Sequence, residues 1–201
     1  MKYIAIDVET NGLPDYKKPA DDPCQPRIAS LGLILLDEKL EPEAEFDLLI
    51  KPDGWVMTPE AAAVNGLTDE ILNEKGVPIA FALNLYAEAI KEGRAVAAFG
   101  AQHDCKVLRG EFRRANQPDL FEITLNVCLM RACPPLKIAK SNGKGGWPRL
   151  EDACRHFKIE PEPTPHQAIE GARRSAQILR HLCALKALPE PSVHLAKDKA
   201  S

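Results

Sequence analysis

The chain has 201 residues, of which 45% are hydrophobic and 27% charged, a composition typical of one globular domain with a real core. The formal net charge of −3 argues against a passive, high-affinity binder of the phosphate backbone, although an enzyme that reaches phosphates through bound cations is compatible with it. The six cysteines include no CxxC pair, so reduced core thiols in a cytoplasmic protein are expected. No signal peptide and no membrane-spanning segment are expected, because an acid occurs already at the seventh residue and no apolar run is long enough.

The first quarter of the chain predicts an antiparallel start to a β-sheet. Residues 3–8 form an apolar run that ends in a polar, glycine-containing turn, and further strands are predicted over 28–36 and 45–51. A turn over 37–42 joins the last two strands as a hairpin. The intervening residues 13–27 contain four prolines and are predicted to be a long loop.

The rest of the chain is predicted to alternate between helix and strand, which points to an α/β domain with a mixed β-sheet flanked by helices. One domain is expected to span 1–188, followed by a flexible tail at 189–201. A buried strand is predicted over 94–99, and residues 137–146 are predicted to form a flexible basic loop. Helices are predicted over 58–63 with a restart at Thr68, and over 78–91, 103–115, 127–133, 149–157 and 166–188.

Two acids stand at the end of the first predicted strand. Alternation along a strand sends Asp7 and Glu9 to the same face of the sheet, with Cβ atoms about 7 Å apart. Burying both carboxylates uncompensated is costly, and a divalent cation such as Mg²⁺ or Mn²⁺ would remove that cost. The alternative interpretation is a pair of solvated acids at a strand end.

Two further residues follow apolar segments farther along the chain. Asp104 comes after a predicted buried strand, near the start of a helix, where an acid can also serve only to complement the helix dipole. His166 stands at the start of the last long helix, where a capping or surface histidine is the alternative.

In order and spacing, these segments resemble the DEDD superfamily of 3′–5′ exonucleases, in the subgroup with a catalytic histidine (DEDDh, DnaQ-like). That group includes the proofreading subunit of bacterial DNA polymerase and ribonuclease T. The resemblance covers roughly residues 3–183. It rests on DVETNG at 7–12, NGLT at 65–68, FGAQHD at 99–104, WPRLEDAC at 147–154 and HQAIEGA at 166–172.

The resemblance implies a ribonuclease H-like fold and a two-metal site for Mg²⁺ or Mn²⁺. By it, Asp7 bridges both metals, Glu9 and the last acid of the family hold the metal that activates water, and Asp104 supports the other metal. His166 is implied as the general base. The residues implied to approach the terminal nucleotide are Thr10, Asn11, Gly12 and Asn65.

One ligand position of the family pattern is missing in this chain. The last acid of the third motif falls on Gly171, which has no side chain. The neighbouring Glu170 is a candidate replacement, although one step along a helix rotates a side chain by about 100°. The alternative is that Glu170 is a solvated helix acid close to Arg173 and Arg174.

Three readings of the function remain open. The preferred one is an active exonuclease that releases nucleoside 5′-monophosphates from single-stranded DNA or RNA 3′ ends. The second is a degenerate exonuclease that binds nucleic acid or a partner protein with little turnover, and the third is an unrelated α/β enzyme with coincidental motifs. A homodimer, or a complex with polymerase or repair proteins, is compatible with each.

Basic and aromatic side chains are candidates for contact with a nucleic-acid strand, although solvated charge and half-buried packing are the ordinary explanations for them. They are Lys137, Lys140 and Lys144 in the basic loop, Arg109, Arg113 and Arg114 on a helix, and Trp55 and Trp147.

Overall fold

The computed structural model describes residues 1–140, 146–160 and 167–193. Within these ranges, six strands form one mixed sheet, with helices packed on both faces. The strands are β1 (Tyr3–Thr10), β2 (Ile28–Leu36), β3 (Pro42–Leu49), β4 (Ala95–Ala98), β5 (Leu125–Cys128) and β6 (Ser192–Val193). The helices are α1 (Pro59–Asn65), α2 (Asp69–Lys75), α3 (Ile79–Lys91), α4 (Ala101–Arg114), α5 (Leu129–Ala132), α6 (Leu150–Phe157) and α7 (Ala168–Ala184).

Strand β1 lies inside the sheet, whose strand order is β3-β2-β1-β4-β5-β6. It pairs with β2 in antiparallel fashion and with β4 in parallel fashion, and the parallel ladder ends at the Ala5–Ala97 pair. Beyond that pair, the last residues of β1 have a strand only on the β2 side. The carboxyl end of β1 is therefore free of strand pairing on the β4 side, and the carboxyl ends of strands are the usual place for a site in an α/β sheet. The predicted mixed sheet with three antiparallel first strands is confirmed.

Two apolar cores cover the two faces of the sheet. Tyr3 and Ala5 pack with residues of α6 and α7, whereas Ile4, Ile6 and Val8 pack with residues of α3 and α4. This alternation fixes the direction of the side chains that follow in β1. In the part of the chain that the structure describes, no helix is long and apolar enough to cross a bilayer.

Helix α7 lies against β1 and β2 at a very short distance. A Cβ atom added at Gly32 of β2 would stand 2.3 Å from the carbonyl oxygen of Ala168, in the first turn of α7. Gly32 is paired with Asp7 in the sheet register, and on its other side with Asp47 of β3. The first turn of α7 is therefore pressed onto the sheet directly beside Asp7.

The helix predicted over 127–133 is wrong in its first part. Val127 and Cys128 belong to β5, which pairs in parallel with β4, and α5 begins only at Leu129. A short, mostly apolar segment does not distinguish a buried strand from a helix turn, and here pairing with the edge of β4 decides the outcome.

Other boundaries also differ from the prediction. Strand β3 begins three residues earlier, and β1 continues through Thr10. Helix α7 begins at Ala168 rather than at His166. Within the predicted flexible tail, Ser192 and Val193 pair with β5, and residues 194–201 lie outside the described ranges.

The long loop at 13–27 is fastened to α4 by a buried carboxylate. Glu111 is 1% exposed and accepts hydrogen bonds from Arg27 Nε at 2.7 Å, from the Ile28 amide at 3.2 Å and from Arg114 Nη1 at 3.5 Å. Arg114 Nη2 also donates to the carbonyl oxygens of Asp22 and Gln25, both at 3.3 Å. The loop is thus held by ion pairs and by side-chain hydrogen bonds to its backbone, including those of the buried Gln25, rather than by regular structure.

The three arginines of α4 form ion pairs with acidic side chains of the protein and do not form a solvated patch. Arg109 pairs with Asp119 and Glu122, and Arg113 pairs with Asp119 and Asp21. A track for phosphates along this helix face is therefore not favoured, because its charges are already balanced within the fold.

We expect Glu111→Gln to lower the free energy of unfolding by about 2–3 kcal/mol, because two half-buried guanidinium groups lose their counter-charge. Urea denaturation followed by circular dichroism measures this change. The matched control is Glu88→Gln, which removes an exposed pair with Lys91 and should leave the midpoint unchanged. Equal midpoints for Glu111→Gln and wild type would contradict the proposed anchoring.

Candidate active site at the carboxyl end of the first strand

Asp7 and Glu9 lie on the same face of the sheet, as the alternation predicts. Both are half-buried, in register with Gly32 and Ser30 of β2. The register shifts between Glu9 and Thr10, so that Thr10 pairs with Ile28. Such a bulge bends the strand end, and it often lies next to a functional site. Both side chains thus lie on the sheet face that α7 covers, and Asp7 contacts Gly171 in the first turn of that helix.

Asp104 reaches the same stretch of β1 from α4. It lies in the first turn of that helix and is 3% exposed. Its carboxylate accepts hydrogen bonds from its own amide and from the amide of Val8, the residue between Asp7 and Glu9. The Val8 amide lies past the end of the β1–β4 ladder, which explains why a side chain can take this hydrogen bond.

Burial dominates the electrostatics of Asp104. It raises the pKa of this carboxyl to about 7, while the two backbone hydrogen bonds lower it. A carboxylate here is costly in the absence of a compensating positive charge, which is the condition that a bound cation would relieve.

Gly171 lies directly against Asp7. A Cβ atom added at this glycine would be 2.4 Å from Asp7 Oδ2 and 2.6 Å from Asp7 Cγ. The family position of the last acid therefore faces the first acid, as the motif alignment implies. No carboxylate comes from α7 at this place.

Glu170 is engaged elsewhere. Its carboxylate pairs with Arg173 Nη1 at 2.5 Å, and Arg173 also binds Glu45 of β3 at 2.7 Å. Burial, reinforced by the charge of Glu170, raises the pKa of Asp47, while Arg173 opposes this shift. Glu170 thus belongs to an ionic cluster over β3. Glu170 is therefore not favoured as a substitute for the missing metal ligand, because Arg173 already binds its carboxylate.

His166 lies outside the described residues, and its implied role as general base stays a prediction. The described residue closest to it in sequence is Gln167, which precedes α7 as its N-cap.

The residues expected to approach a nucleotide are held by hydrogen bonds within the protein. Thr10 Oγ1 donates to the Gly12 carbonyl at 2.6 Å, and Asn65 Nδ2 donates to the Thr10 carbonyl at 3.3 Å. The Asn11 side-chain amide donates to Val56 O at 2.9 Å and accepts from the Arg27 amide at 2.8 Å. These side chains hold the turn after β1 together, and their predicted contact with a nucleotide stays a prediction.

Two groups near Asp104, Tyr16 and His103, were given no role by the sequence patterns. Tyr16 lies over the start of α4, with its hydroxyl 3.4 Å from His103 Nδ1. Burial lowers the pKa of His103, and burial together with the charge of Asp104 raises the pKa of Tyr16. His103 directly precedes Asp104 and could have been singled out for that reason. Tyr16 carries no such signal, because only the loop's tertiary packing brings it here.

A cavity of about 560 Å³ opens beside the turn. Asn11, Gly12, Arg27, Trp55 and Arg114 are among its lining residues. The Arg27 guanidinium lies 5.9 Å from the centre of the Trp55 ring, so a cation and an aromatic face are both at the wall.

The basic loop borders a second cavity, of about 430 Å³, lined by Lys137, Lys140 and Trp147 among others. Trp147 is half exposed and lies 5.9 Å from the guanidinium of Arg131. Lys144 lies outside the described residues, so the loop's predicted role in following a nucleic-acid backbone stays a prediction.

The donor chemistry fits a divalent cation, although not a complete four-carboxylate set. Asp7 and Glu9 are hard oxygen donors on one face, and Asp104 lies beside them. Within the described ranges, no group of three or more His, Cys, Asp or Glu side chains is arranged to hold a metal. Asp7 and Glu9 stay the ligands that the family resemblance implies, and Gly171 offers no donor atom.

The metal-free protein is expected to lose stability as the pH rises from about 4 to 7. The pKa of Asp104 is raised in the folded state, so its stabilising protonated form is lost in that interval, at a cost on the order of 2–4 kcal/mol. Asp104→Asn should remove most of this dependence, because an amide stays neutral. The pH dependence of the free energy of unfolding is measured by urea unfolding at pH 5 and pH 8 in the presence of a chelator. Asp53→Asn, at an exposed acid, is the control, and a pH slope for Asp104→Asn equal to that of wild type would sink the prediction.

Comparison with known proteins places the chain in a family. The family model described as the RNase T exonuclease matches residues 4–179. No curated protein matches the chain.

Three solved structures illustrate the similarity of fold. Exonuclease I from Methylocaldum szegediense is 24% identical, with a TM-score of 0.70 over 91% of this chain and 40% of that one. The nuclease domain of 3′hExo, a DEDDh family member bound to rAMP, is 14% identical, with a TM-score of 0.71 over 95% of this chain and 97% of that one. Exonuclease I of E. coli with a dT13 oligonucleotide is 18% identical, with a TM-score of 0.73 over 91% of this chain and 40% of that one.

The chain thus spans about 40% of the length of the two exonuclease I chains and nearly all of the 3′hExo nuclease domain. At these identities the structures show a shared fold, and the family model covers most of the sequence, including all five segments on which the resemblance rests. The chain belongs to the RNase T exonuclease family, within the DEDD superfamily of 3′–5′ exonucleases.

Proposed function

We propose that the chain is a metal-dependent 3′–5′ exonuclease that releases nucleoside 5′-monophosphates from the 3′ end of single-stranded nucleic acid. The observation that carries this proposal is the placement of Asp7, Glu9 and Asp104 around the carboxyl end of β1. In a chain of this family, such a group of acids is the part that the chemistry depends on.

The chain's own residues would divide the work as follows. Asp7 and Glu9 would hold Mg²⁺ or Mn²⁺, which when bound supplies charge neutralisation at the phosphate and a more acidic water. His166 would take the proton of the attacking water as general base. Water adds to the terminal phosphorus, the 3′ oxygen of the preceding nucleotide leaves, and the released product carries the 5′ phosphate.

A single-stranded 3′ end suits the surroundings of the site. The rigid turn at Thr10–Gly12 is followed by Leu13, which is 90% exposed and lines the cavity that also contains Arg27 and Trp55. An exposed apolar side chain and an aromatic face can hold unpaired nucleotides without reading their sequence, whereas the Arg27 guanidinium is paired with Glu111. Both DNA and RNA are compatible with these contacts.

A degenerate exonuclease that binds without efficient turnover is the second candidate. The observation that favours it is the absence of a carboxylate at Gly171 together with the engagement of Glu170 by Arg173. The first candidate is preferred, because Asp7, Glu9 and Asp104 are all present, whereas a chain released from catalysis would be expected to lose more than one acid.

We expect a single-stranded oligonucleotide labelled at its 5′ end to be shortened stepwise from its 3′ end in the presence of Mg²⁺ or Mn²⁺, with mononucleotides as products. Asp7→Asn should reduce the rate by roughly two orders of magnitude or more, because it removes a charged ligand. A timed digest resolved on a denaturing gel measures both. No shortening with either metal at high protein concentration would favour the binding-only candidate.

Glu170→Gln is the matched control for the same assay. Because the Glu170 carboxylate contacts Arg173 over β3, we expect this variant to keep a rate within a few-fold of wild type. A loss as large as that of Asp7→Asn would show instead that Glu170 serves as the missing ligand.

A further inference from the structure

Tyr16 presents an aromatic ring at the border of the acidic site. Tyr3 and Tyr86 are buried, whereas Tyr16 is 52% exposed. Its hydroxyl oxygen lies 3.4 Å from His103 Nδ1, and His103 directly precedes Asp104 in the first turn of α4. Burial and the charge of Asp104 both raise the pKa of Tyr16, so the phenol lies close enough to this carboxyl to respond to its charge. The ring therefore stands next to one of the acids of the candidate active site.

The backbone that carries Tyr16 is fixed by a buried amide side chain. Gln25, which is 6% exposed, accepts a hydrogen bond from the Asp15 amide at 3.0 Å and donates one to the Asp15 carbonyl at 2.8 Å. In the turn that follows, the Lys18 amide donates to the Asp15 carbonyl at 3.3 Å. The ring thus projects from a turn whose backbone is held in place. A group that is already ordered loses less conformational entropy on binding.

Lys106 of α4 adds a positive charge beside the ring. Its ammonium nitrogen lies 5.8 Å from the centre of the Tyr16 ring and donates to the Lys18 carbonyl at 2.6 Å. Within the described ranges, no acidic side chain forms an ion pair with it. In this respect it differs from Arg109 and Arg113 on the same helix, which are paired with acids. An aromatic face beside an ammonium group matches the two parts of a nucleotide, its base and its phosphate.

Packing of the loop onto α4 does not explain the exposed ring. The loop is already fastened through Glu111, which binds Arg27 and Arg114. A hydrogen bond donated by a hydroxyl group ordinarily measures about 2.5–3.0 Å, so the contact of Tyr16 with His103 at 3.4 Å is a weak reason for a tyrosine here. The exposed surface of the ring is therefore available to another molecule.

We propose that Tyr16 is a substrate-contact residue, whose ring stacks on an unpaired base near the 3′ end of the strand while Lys106 faces the adjoining phosphate. This inference rests on the proposed function and deepens it, because it names a group that favours a single strand. Stacking on an aromatic ring tolerates every base, since each base has a π face. A base that is stacked and paired within a duplex cannot present its face to the ring, so a duplex gains nothing from Tyr16.

Binding of single strands that each lack one base tests this contact. The strands carry a 5′ fluorophore and one abasic site, whose position moves through the series, and fluorescence anisotropy in a chelator measures binding without cleavage. For the wild-type chain, loss of one base near the 3′ end should weaken binding by about 5–150-fold, the range expected for one stacked base. Tyr16→Ala should weaken binding of the complete strand by the same factor. At that position the variant should show no further loss, because the two changes remove the same contact.

Two further variants separate the aromatic ring from the hydroxyl group and from side-chain bulk. Tyr16→Phe keeps the ring and should bind within about 3-fold of wild type. Tyr16→Leu keeps an apolar side chain on the loop but offers no π face, and it should bind as weakly as Tyr16→Ala. Phe81→Ala, at a 50% exposed aromatic residue of α3, is the matched control and should leave binding unchanged. None of these variants should alter binding of a fully paired duplex.

The phosphate contact has a separate readout. Lys106→Gln should reduce the slope of log Kd against log salt concentration by about 0.7, the value expected for one phosphate contact on a single strand. Arg113→Gln is the control on the same helix, and because Arg113 is paired with Asp119 it should leave the slope unchanged. A wild-type slope for Lys106→Gln would contradict the phosphate contact.

The outcomes separate this inference from the proposed function. Equal abasic profiles for wild type and Tyr16→Ala, in a chain that shortens strands, would overturn the inference alone. If strands are shortened but not measurably bound in the chelator, kcat/KM for release of the first nucleotide with Mg²⁺ carries the same comparison. A profile that depends on Tyr16, in a chain that shortens no strand with Mg²⁺ or Mn²⁺, would support the contact and count against turnover. A wild-type chain that neither binds nor shortens any strand would overturn both.

Discussion

The close packing of α7 on β1 and β2 is the constraint on which the site depends. Gly32 on the sheet and Gly171 on the helix both lie where a Cβ would overlap atoms of the opposite element. Two glycines thus allow a helix to approach a sheet closely, at a place where one of the sheet residues is an acid. Since protein interiors are packed without spare volume, the Asp7 carboxylate fills the space that a side chain at position 171 would otherwise take.

The electrostatic character of the site follows from that packing. Asp7 and Glu9 are half-buried on one face, while Asp104 is buried at the start of α4 and bonded to the Val8 amide between them. Burial raises the pKa of Asp104, so its ionised form costs free energy unless a positive charge compensates it. This carboxyl lies where the parallel ladder between β1 and β4 has ended.

Around this centre, oppositely charged pairs hold the remaining elements. Glu111 fastens the proline-rich loop through Arg27 and Arg114, and Arg173 joins α7 to β3 through Glu45 and Glu170. Among these residues, Arg114 was a candidate for contact with a nucleic-acid backbone and Glu170 a candidate for the missing metal ligand. In the fold, both are paired with oppositely charged side chains of the protein. The loop in turn brings Tyr16 and Arg27 to the border of the site.

The sequence by itself determined the framework, because its signals are local. Alternation in β1 set Asp7 and Glu9 on one face, the apolar run at Ile28–Leu36 marked β2, and the motif spacing placed Asp104 and Gly171 in the family pattern. Only the tertiary structure decided what depends on contacts between distant residues. Residues 125–128 form a strand because they pair with the edge of β4. Glu170 pairs with Arg173, which also contacts Glu45 of β3. In the sequence, Gly171 is a missing acid. In the fold, the Asp7 carboxylate lies in the space where a side chain at 171 would be. The distance between α7 and β1 is a property of tertiary packing, which no local sequence pattern encodes.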